Sequence, residues 1–475
     1  GVGAGEWPWA MALRAGLFGF ACLAATAWLL REGIGAVAFA GATASGCQVD
    51  CRLPRHQPPQ SFPGRVHAAA RDLPTPWSLP FLGSLPVLAA LLRGTFPKML
   101  SKLRARYGAL FMIKTGPVKQ VWVGSYEMLQ KVYSLPECSG RPASFEDPFG
   151  NFLFLTKRPE DAAVIREKQK AWMEANLRPQ VIGAAVESAL QERMWTVLDG
   201  AQGPWPAETV RGVMYSALTR SILGEAALES EDELSRLMAA TREYSEMRVK
   251  GKMGKKTGQD LKQPPPGAVE IRDIVEAAMV RAGRDDSDMA LPVIVAASVG
   301  GAEIFPTLLH WVCLHFAKNE DRQESAARAA AEGDKAGLLR EMYAALRSMP
   351  YSVALGPPRK ILADAVVDGM KLPAGALLFA MHPAVAEAEL KSAVEDDFSK
   401  YAFGVGPRSC LGQNLTEALL PAAIGAILRR YRISLQRGPG QSVEEAAALI
   451  RGKMRGQLMR PVAETPNLIW ERRGA

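Results

Sequence analysis

Cysteine is scarce and scattered. The six residues (Cys22, Cys47, Cys51, Cys138, Cys313 and Cys410) include no CxxC pair. Cys47 and Cys51 form a lone CxxxC with no partner pair to complete a zinc tetrahedron. A disulfide scaffold and a structural zinc site are therefore set aside, and a reducing compartment suits the chain after Asp72. There is no repeat at a fixed period, which argues against a solenoid. There is also no basic stripe interleaved with aromatics, so no nucleic-acid partner is expected. The basic cluster Lys250 to Lys262 beside Pro264-Pro265-Pro266 reads as a solvated loop. Neither sign of charge dominates, yet the net charge of +8 suffices to steer an acidic protein partner. With 48% hydrophobic and 22% charged residues, the 475-residue chain is neither disordered nor fibrous and can bury a large core.

Ala15 to Leu30 carries no charge and lies between Arg14 and Arg31. It is somewhat shorter than the ~20 residues that span a bilayer as a helix. Trp7, Trp9 and Trp28 are placed to sit at interfaces, and Ile34 to Ala44 prolongs the apolar character. Residues 1–45 are read as a membrane anchor or targeting segment, with a cleaved signal as the third reading. Residues 46–71 read as a polar, proline-bearing linker.

Residues 72–475 read as one large, mainly helical domain with a small β-sheet region. Leu73 to Pro86 is punctuated by proline and suits an extended segment packed across a surface. Phe96 to Tyr107 reads as an amphipathic helix, followed by two strands at Leu110–Gly116 and Gln120–Gly124. From Glu160 to Arg347 the apolar spacing is helical. Met289 to Lys318 is apolar nearly all round and is expected to run through the middle of the domain. Near its centre stand Gly300, Gly301, Glu303 and Ile304, then Pro306. Two interior glycines cost about 1 kcal/mol each relative to alanine, and proline kinks a helix. Close helix packing explains the pattern, and so does a flat, bulky group with a carboxylate held beside it.

The most informative segment is Phe403-Gly404-Val405-Gly406-Pro407-Arg408-Ser409-Cys410-Leu411-Gly412. Glycines at 404, 406 and 412 permit tight or positive-φ backbone and close approach to a ligand. Backbone N–H groups of such a loop can donate to a sulfur and stabilise negative charge there. Arg408 supplies a cation for a ligand carboxylate. Gly412 opens a helix whose positive end favours a thiolate. A cysteine merely buried in a glycine-rich turn would not require so many constrained positions in ten residues.

This segment resembles, position for position, the F-x-x-G-x-R-x-C-x-G haem loop of the cytochrome P450 family. The proline-rich entry, the glycine-bearing central helix and Leu346 to Pro350, like the end of the family's ExxR helix, fit as well. Met381-His382 resembles the end of one of the family's strands. Leu458 to Pro461 and Asn467 to Trp470 look most like the mitochondrial, ferredoxin-dependent members. The resemblance implies the cytochrome P450 fold, with a long central helix over haem b. It also implies iron held by Cys410 and propionates met by Arg408 and Arg359, with Phe403, Gly404, Gly406 and Gly412 shaping the loop. Gly300, Gly301, Glu303 and Ile304 would then lie over the face where oxygen and substrate meet.

Three departures bear on function. Ile304 stands where the family has a proton-relaying threonine. Aligning Arg347 with the ExxR arginine places Ala344 at the glutamate, with Glu341 a further step back, and Asp396-Asp397-Phe398 replaces an arginine motif in a short later region. The family's W-x-x-x-R pattern falls on Ile165 and Gln169, so Lys168 or Lys170 would have to supply the missing cation. The resemblance implies a monooxygenase that inserts one oxygen atom into a lipophilic substrate of sterol, fatty-acid or terpenoid type. Its electrons would come from an acidic donor, a ferredoxin or flavoprotein reductase. Membrane association, at the endoplasmic reticulum or the mitochondrial inner membrane, goes with that expectation. The departures keep two alternatives open: a non-catalytic haem-binding protein, and a peroxide isomerase or dehydratase of the same fold.

Overall fold

The structure is a computed structural model that describes residues 70–79, 83–92, 96–115, 117–141, 159–199, 202–203, 205–224, 230–249, 266–296, 302–348, 358–381, 403–455, 458–462 and 465–474. Residues 1–69, the basic cluster at 250–262, Gly300, Gly301, His382 and Asp396 to Phe398 lie outside them.

Strand β1 (Arg71–Asp72) leads into the proline-rich segment, which is extended as expected: the Pro74 carbonyl accepts from Met112 N–H at 2.9 Å. Proline fixes that backbone and removes donors, so the segment contributes carbonyls to a neighbour rather than forming an element of its own. Helices α1 (Leu85–Leu92) and α2 (Phe96–Tyr107) follow, then strands β2 (Leu110–Thr115) and β3 (Val118–Val123), paired antiparallel from Leu110↔Val123 to Thr115↔Val118. The α2 bounds and both strands agree with the sequence pattern. Trp122 stacks on Phe379 at 4.7 Å and meets Phe96 edge-on at 5.5 Å, which fastens α2 to the sheet. Helix α3 (Tyr126–Tyr133) is capped by the Ser125 hydroxyl accepting from Met128 N–H.

The helical body comprises α4 (Pro159–Asn176), α5 (Pro179–Arg193), the single turn α6 (Trp195–Leu198), strand β4 (Gln202–Gly203), α7 (Ala207–Leu223), α8 (Glu231–Val249) and α9 (Pro266–Arg281). It continues with α10 (Ser287–Ala296), α11 (Ala302–Lys318), α12 (Glu320–Glu332) and α13 (Lys335–Ser348). The single helix expected over Met289–Lys318 is described as two segments, α10 and α11, and residues 297–301 lie outside the description. Central placement holds for α11. Leu309, Trp311, Val312, Cys313, Leu314 and Phe316 are all fully buried, too many consecutive positions for a helix with one wet face. α11 packs against α7, α12 and α13, among others.

Strands β5 (Arg359–Lys360), β6 (Ala365–Val367), β7 (Met370–Leu372) and β8 (Leu377–Ala380) complete two small sheets, ordered β2-β3-β8-β5 and β1-β7-β6. Helix α14 (Gln413–Arg430) runs back through the core against α5, α11, α12 and α13. The chain closes with β9 (Tyr431–Leu435), α15 (Val443–Ala447), the hairpin β10 (Gly452–Arg455) and β11 (Leu458–Pro461), and β12 (Leu468–Arg472), which pairs with β9. The fold is mainly α with small sheets, as the sequence implies. Among the described residues no helix is long and apolar enough to cross a membrane.

Candidate functional site

The segment Phe403–Gly412 is a tight loop ahead of α14. Cys410 N–H donates to Phe403 O at 2.8 Å and Ser409 N–H to Gly406 O at 2.9 Å, closing it around a single 3-10 turn. Gly404 and Gly406 hold φ of 71° and 74°. At Gly406 a Cβ would stand 2.3 Å from the Tyr133 carbonyl oxygen, so the loop lies directly on the end of α3. Of the two expected forms Gly412 takes the tight one, with φ at −80°, and its backbone N–H donates to the Cys410 sulfur.

Elements distant in sequence converge on this loop. From β5, Arg359 donates through Nη1 to Tyr133 O at 2.9 Å and through Nη2 to Val405 O at 2.8 Å, with its guanidinium 3.9 Å over the Tyr133 ring. Arg408 donates through Nε to Ser139 O at 3.1 Å. From α4, Arg166 donates to Ser409 O at 2.7 Å and to Ser409 Oγ at 2.9 Å. Cys410 is exposed, whereas Cys138 and Cys313 are buried. The recess around its sulfur still pushes the thiol up, opposed by the Gly412 N–H and the Arg166 charge.

The arginines set the electrostatics. Burial pushes Arg359 down to about 10, with Arg408 and Arg166 adding repulsion, and burial alone takes Arg408 to about 10. Among the described residues no carboxylate pairs with Arg359, although it is only 3% exposed. A buried guanidinium held by two carbonyls and a ring, beside two further cations, calls for an anionic partner. Propionates of a haem meet that need, and a loop-tip thiol receiving an N–H is suited to iron. The residues present therefore fit haem.

The other site residues expected from sequence are placed less completely. Ile304 lies in the first turn of α11 and is half-buried, whereas the Glu303 side chain, Gly300 and Gly301 are outside the described residues. Glu341 accepts from Arg322 at 3.2 Å and Ser325 at 3.1 Å, so it is committed to α12. Beside Ala344, Tyr343 donates to Glu417 of α14 at 2.5 Å, and Gln413 donates to the same oxygen at 3.0 Å.

Lys168 and Lys170 do not replace the missing cation. Both are exposed, and Lys170 is 3.9 Å from Glu174. Arg166 reaches the loop instead. It shares the inward stripe of α4 with buried Ala162, Gln169 and Met173, at spacings that repeat on one helix face. That periodicity was the signal available in the sequence. The Tyr343–Glu417 link had no local signal at all.

Comparison with known proteins agrees with this geometry. The cytochrome P450 family model matches residues 345–459, which hold β5–β8, the loop and α14. Over 226 residues the chain is 27% identical to the 20-oxo-5-O-mycaminosyltylactone 23-monooxygenase of Streptomyces fradiae, covering 45% of this chain and 46% of that one. The match thus spans about half the length of that curated relative. Over these residues the chain is similar to the cytochrome P450 family. Neither match distinguishes the mitochondrial, ferredoxin-dependent subclass.

Proposed function

We propose that the chain is a haem-thiolate monooxygenase that inserts one oxygen atom from dioxygen into a lipophilic substrate. The carrying observation is the Cys410 loop, whose thiol receives the Gly412 N–H while buried Arg359 and half-buried Arg408 stand beside it. In this reading Cys410 binds the iron of haem b, and Arg408 and Arg359 hold its propionates. Phe403, Gly404, Gly406 and Gly412 keep the backbone tight beneath the sulfur. When bound, haem with a thiolate ligand supplies cleavage of the O–O bond.

Gly300, Gly301, Glu303 and Ile304 are assigned to the substrate side. Isoleucine offers no hydroxyl, so moving protons inward falls to the Glu303 carboxylate and to water. Ile304 instead presents an apolar wall that excludes water and suits a lipophilic substrate. Electrons are assigned to an acidic ferredoxin or flavoprotein reductase, which the net charge of +8 would attract. Residues 1–45 are assigned to membrane association, at the endoplasmic reticulum or the mitochondrial inner membrane.

A second reading, haem binding without turnover, is favoured by the commitment of Glu341 to Arg322 and Ser325 in place of an ExxR pair. The deciding experiment is the carbon monoxide difference spectrum of the reduced protein beside Cys410→Ser, followed by NADPH consumption with candidate donors. A thiolate-type band lost in the variant is expected. An imidazole-type band in both proteins would refute the ligand assignment, and a thiolate band with no NADPH-dependent product would select the second reading.

A further inference from the structure

One side chain joins α4 to the Cys410 loop across more than two hundred residues of sequence. Arg166 engages both the carbonyl and the hydroxyl of Ser409, at 2.7 and 2.9 Å. A planar guanidinium gripping two oxygens fixes their orientation as well as their position, which a single ammonium cannot reproduce. The Ser409 carbonyl belongs to the peptide that precedes Cys410, and the Cys410 N–H of that peptide is bound to Phe403. Both ends of one peptide plane are therefore anchored, and that plane sets where the cysteine side chain points.

The charge lies close to the sulfur as well: Arg166 and Cys410 attract one another electrostatically. Burial around Arg166 limits solvent screening of that attraction. Glu167, its neighbour on α4, attracts Arg166 with the opposite charge, while Arg359 repels it from the β5 side. Arg359 and Arg408 bond Tyr133, Val405 and Ser139, so these hydrogen bonds divide the loop between three arginines with different tasks.

We propose that Arg166 is a positioning residue for the haem ligand: it clamps Ser409, aims the Cys410 sulfur, and places a fixed positive charge that raises the reduction potential of the bound haem. The proposal rests on reading Cys410 as the haem ligand. Its electrostatic part follows because reduction adds negative charge to the iron–thiolate unit, and a nearby cation stabilises the more negative state. Its geometric part follows from the two-pronged bond.

The test compares Arg166→Gln, Arg166→Lys and Ser409→Ala with the parent chain by two measurements. The first is amide hydrogen exchange of residues 403–412 in haem-free protein, and the second is the one-electron reduction potential after haem loading. Arg166→Gln should speed exchange at Cys410 about tenfold, the loss of roughly one hydrogen bond. It should also lower the potential by about 59 mV, the one-electron equivalent of tenfold. Arg166→Lys should keep the potential near that of the parent while exchange rises, because charge is retained and the fork is lost. Ser409→Ala should do the same to a smaller extent, and it carries the test if Arg166→Gln does not fold.

An unchanged potential in Arg166→Gln, or unchanged loop exchange in Arg166→Lys, would overturn the proposal. Failure of the haem reading looks different. The parent chain would then show no thiolate band, while loop exchange in haem-free protein would still report the clamp.

Discussion

Gly404 and Gly406 carry nearly the same positive φ but face different surroundings, so alanine separates backbone strain from collision. A Cβ at Gly404 meets nothing within 4 Å, whereas at Gly406 it falls 2.3 Å from the Tyr133 carbonyl. Gly404→Ala should cost about 1–2 kcal/mol, the left-handed penalty alone, and still load haem. Gly406→Ala must also part the loop from α3, and haem occupancy should collapse. Soret absorbance per protein together with thermal unfolding measures both, and equal effects would contradict the close approach. Ile304 offers a second residue-scale prediction. Ile304→Thr restores a hydroxyl on α11, so hydrogen peroxide released per NADPH consumed should fall, and an unchanged leak would show that the hydroxyl is not what limits proton delivery.

At the scale of elements, α13 and α14 are joined by Tyr343 and Glu417, one residue away from Ala344. A hydrogen bond to a charged acceptor contributes about 1.5–3 kcal/mol, so Tyr343→Phe should lower stability in urea by that amount. A loss below ~0.5 kcal/mol would show that the link is dispensable. Helix α11 carries a second testable group. His310 stacks on Trp205 with ring centroids 4.4 Å apart, and burial pushes its imidazole down to about 3. An unfolded histidine titrates near ~6.5. Between those values the unfolded chain takes up a proton that the folded chain refuses, so stability falls as pH drops through that window. The slope from this group approaches about 1.4 kcal/mol per pH unit, and His310→Phe should remove it from urea titrations at stepped pH.

For the whole molecule, the end of the chain is fastened to its middle through Asp199. This carboxylate, just after α6, accepts from Tyr431 of β9 and Arg472 of β12 and pairs with Arg430 at 3.4 Å. The hydrogen bonds from Arg472 and Tyr431 hold it far below the usual carboxylate range. A depressed carboxylate contributes stability that is present above the unfolded value near ~3.9 and is lost as pH falls through the folded one. Asp199→Asn should therefore unfold at lower urea than the parent at neutral pH, with the two curves converging in strong acid. Because the group is solvent-facing, ~1 M salt should also narrow the gap.

The sequence by itself determined what rests on neighbours along the chain. The α2 bounds, the β2–β3 hairpin, the burial of α11 and the glycine-shaped loop with Cys410 at its tip all depend on periodicity or local backbone freedom. Only the tertiary structure decided which cation serves the loop. Arg166, Lys168 and Lys170 are all cations on one helix, and the inward stripe selects Arg166 while the other two face solvent. It also decided that Glu341 belongs to α12, that Tyr343 reaches Glu417, and that Gly412 acts through its N–H rather than an unusual φ. Contacts across such separations depend on how helices pack and which side chains meet, and no local spacing encodes that.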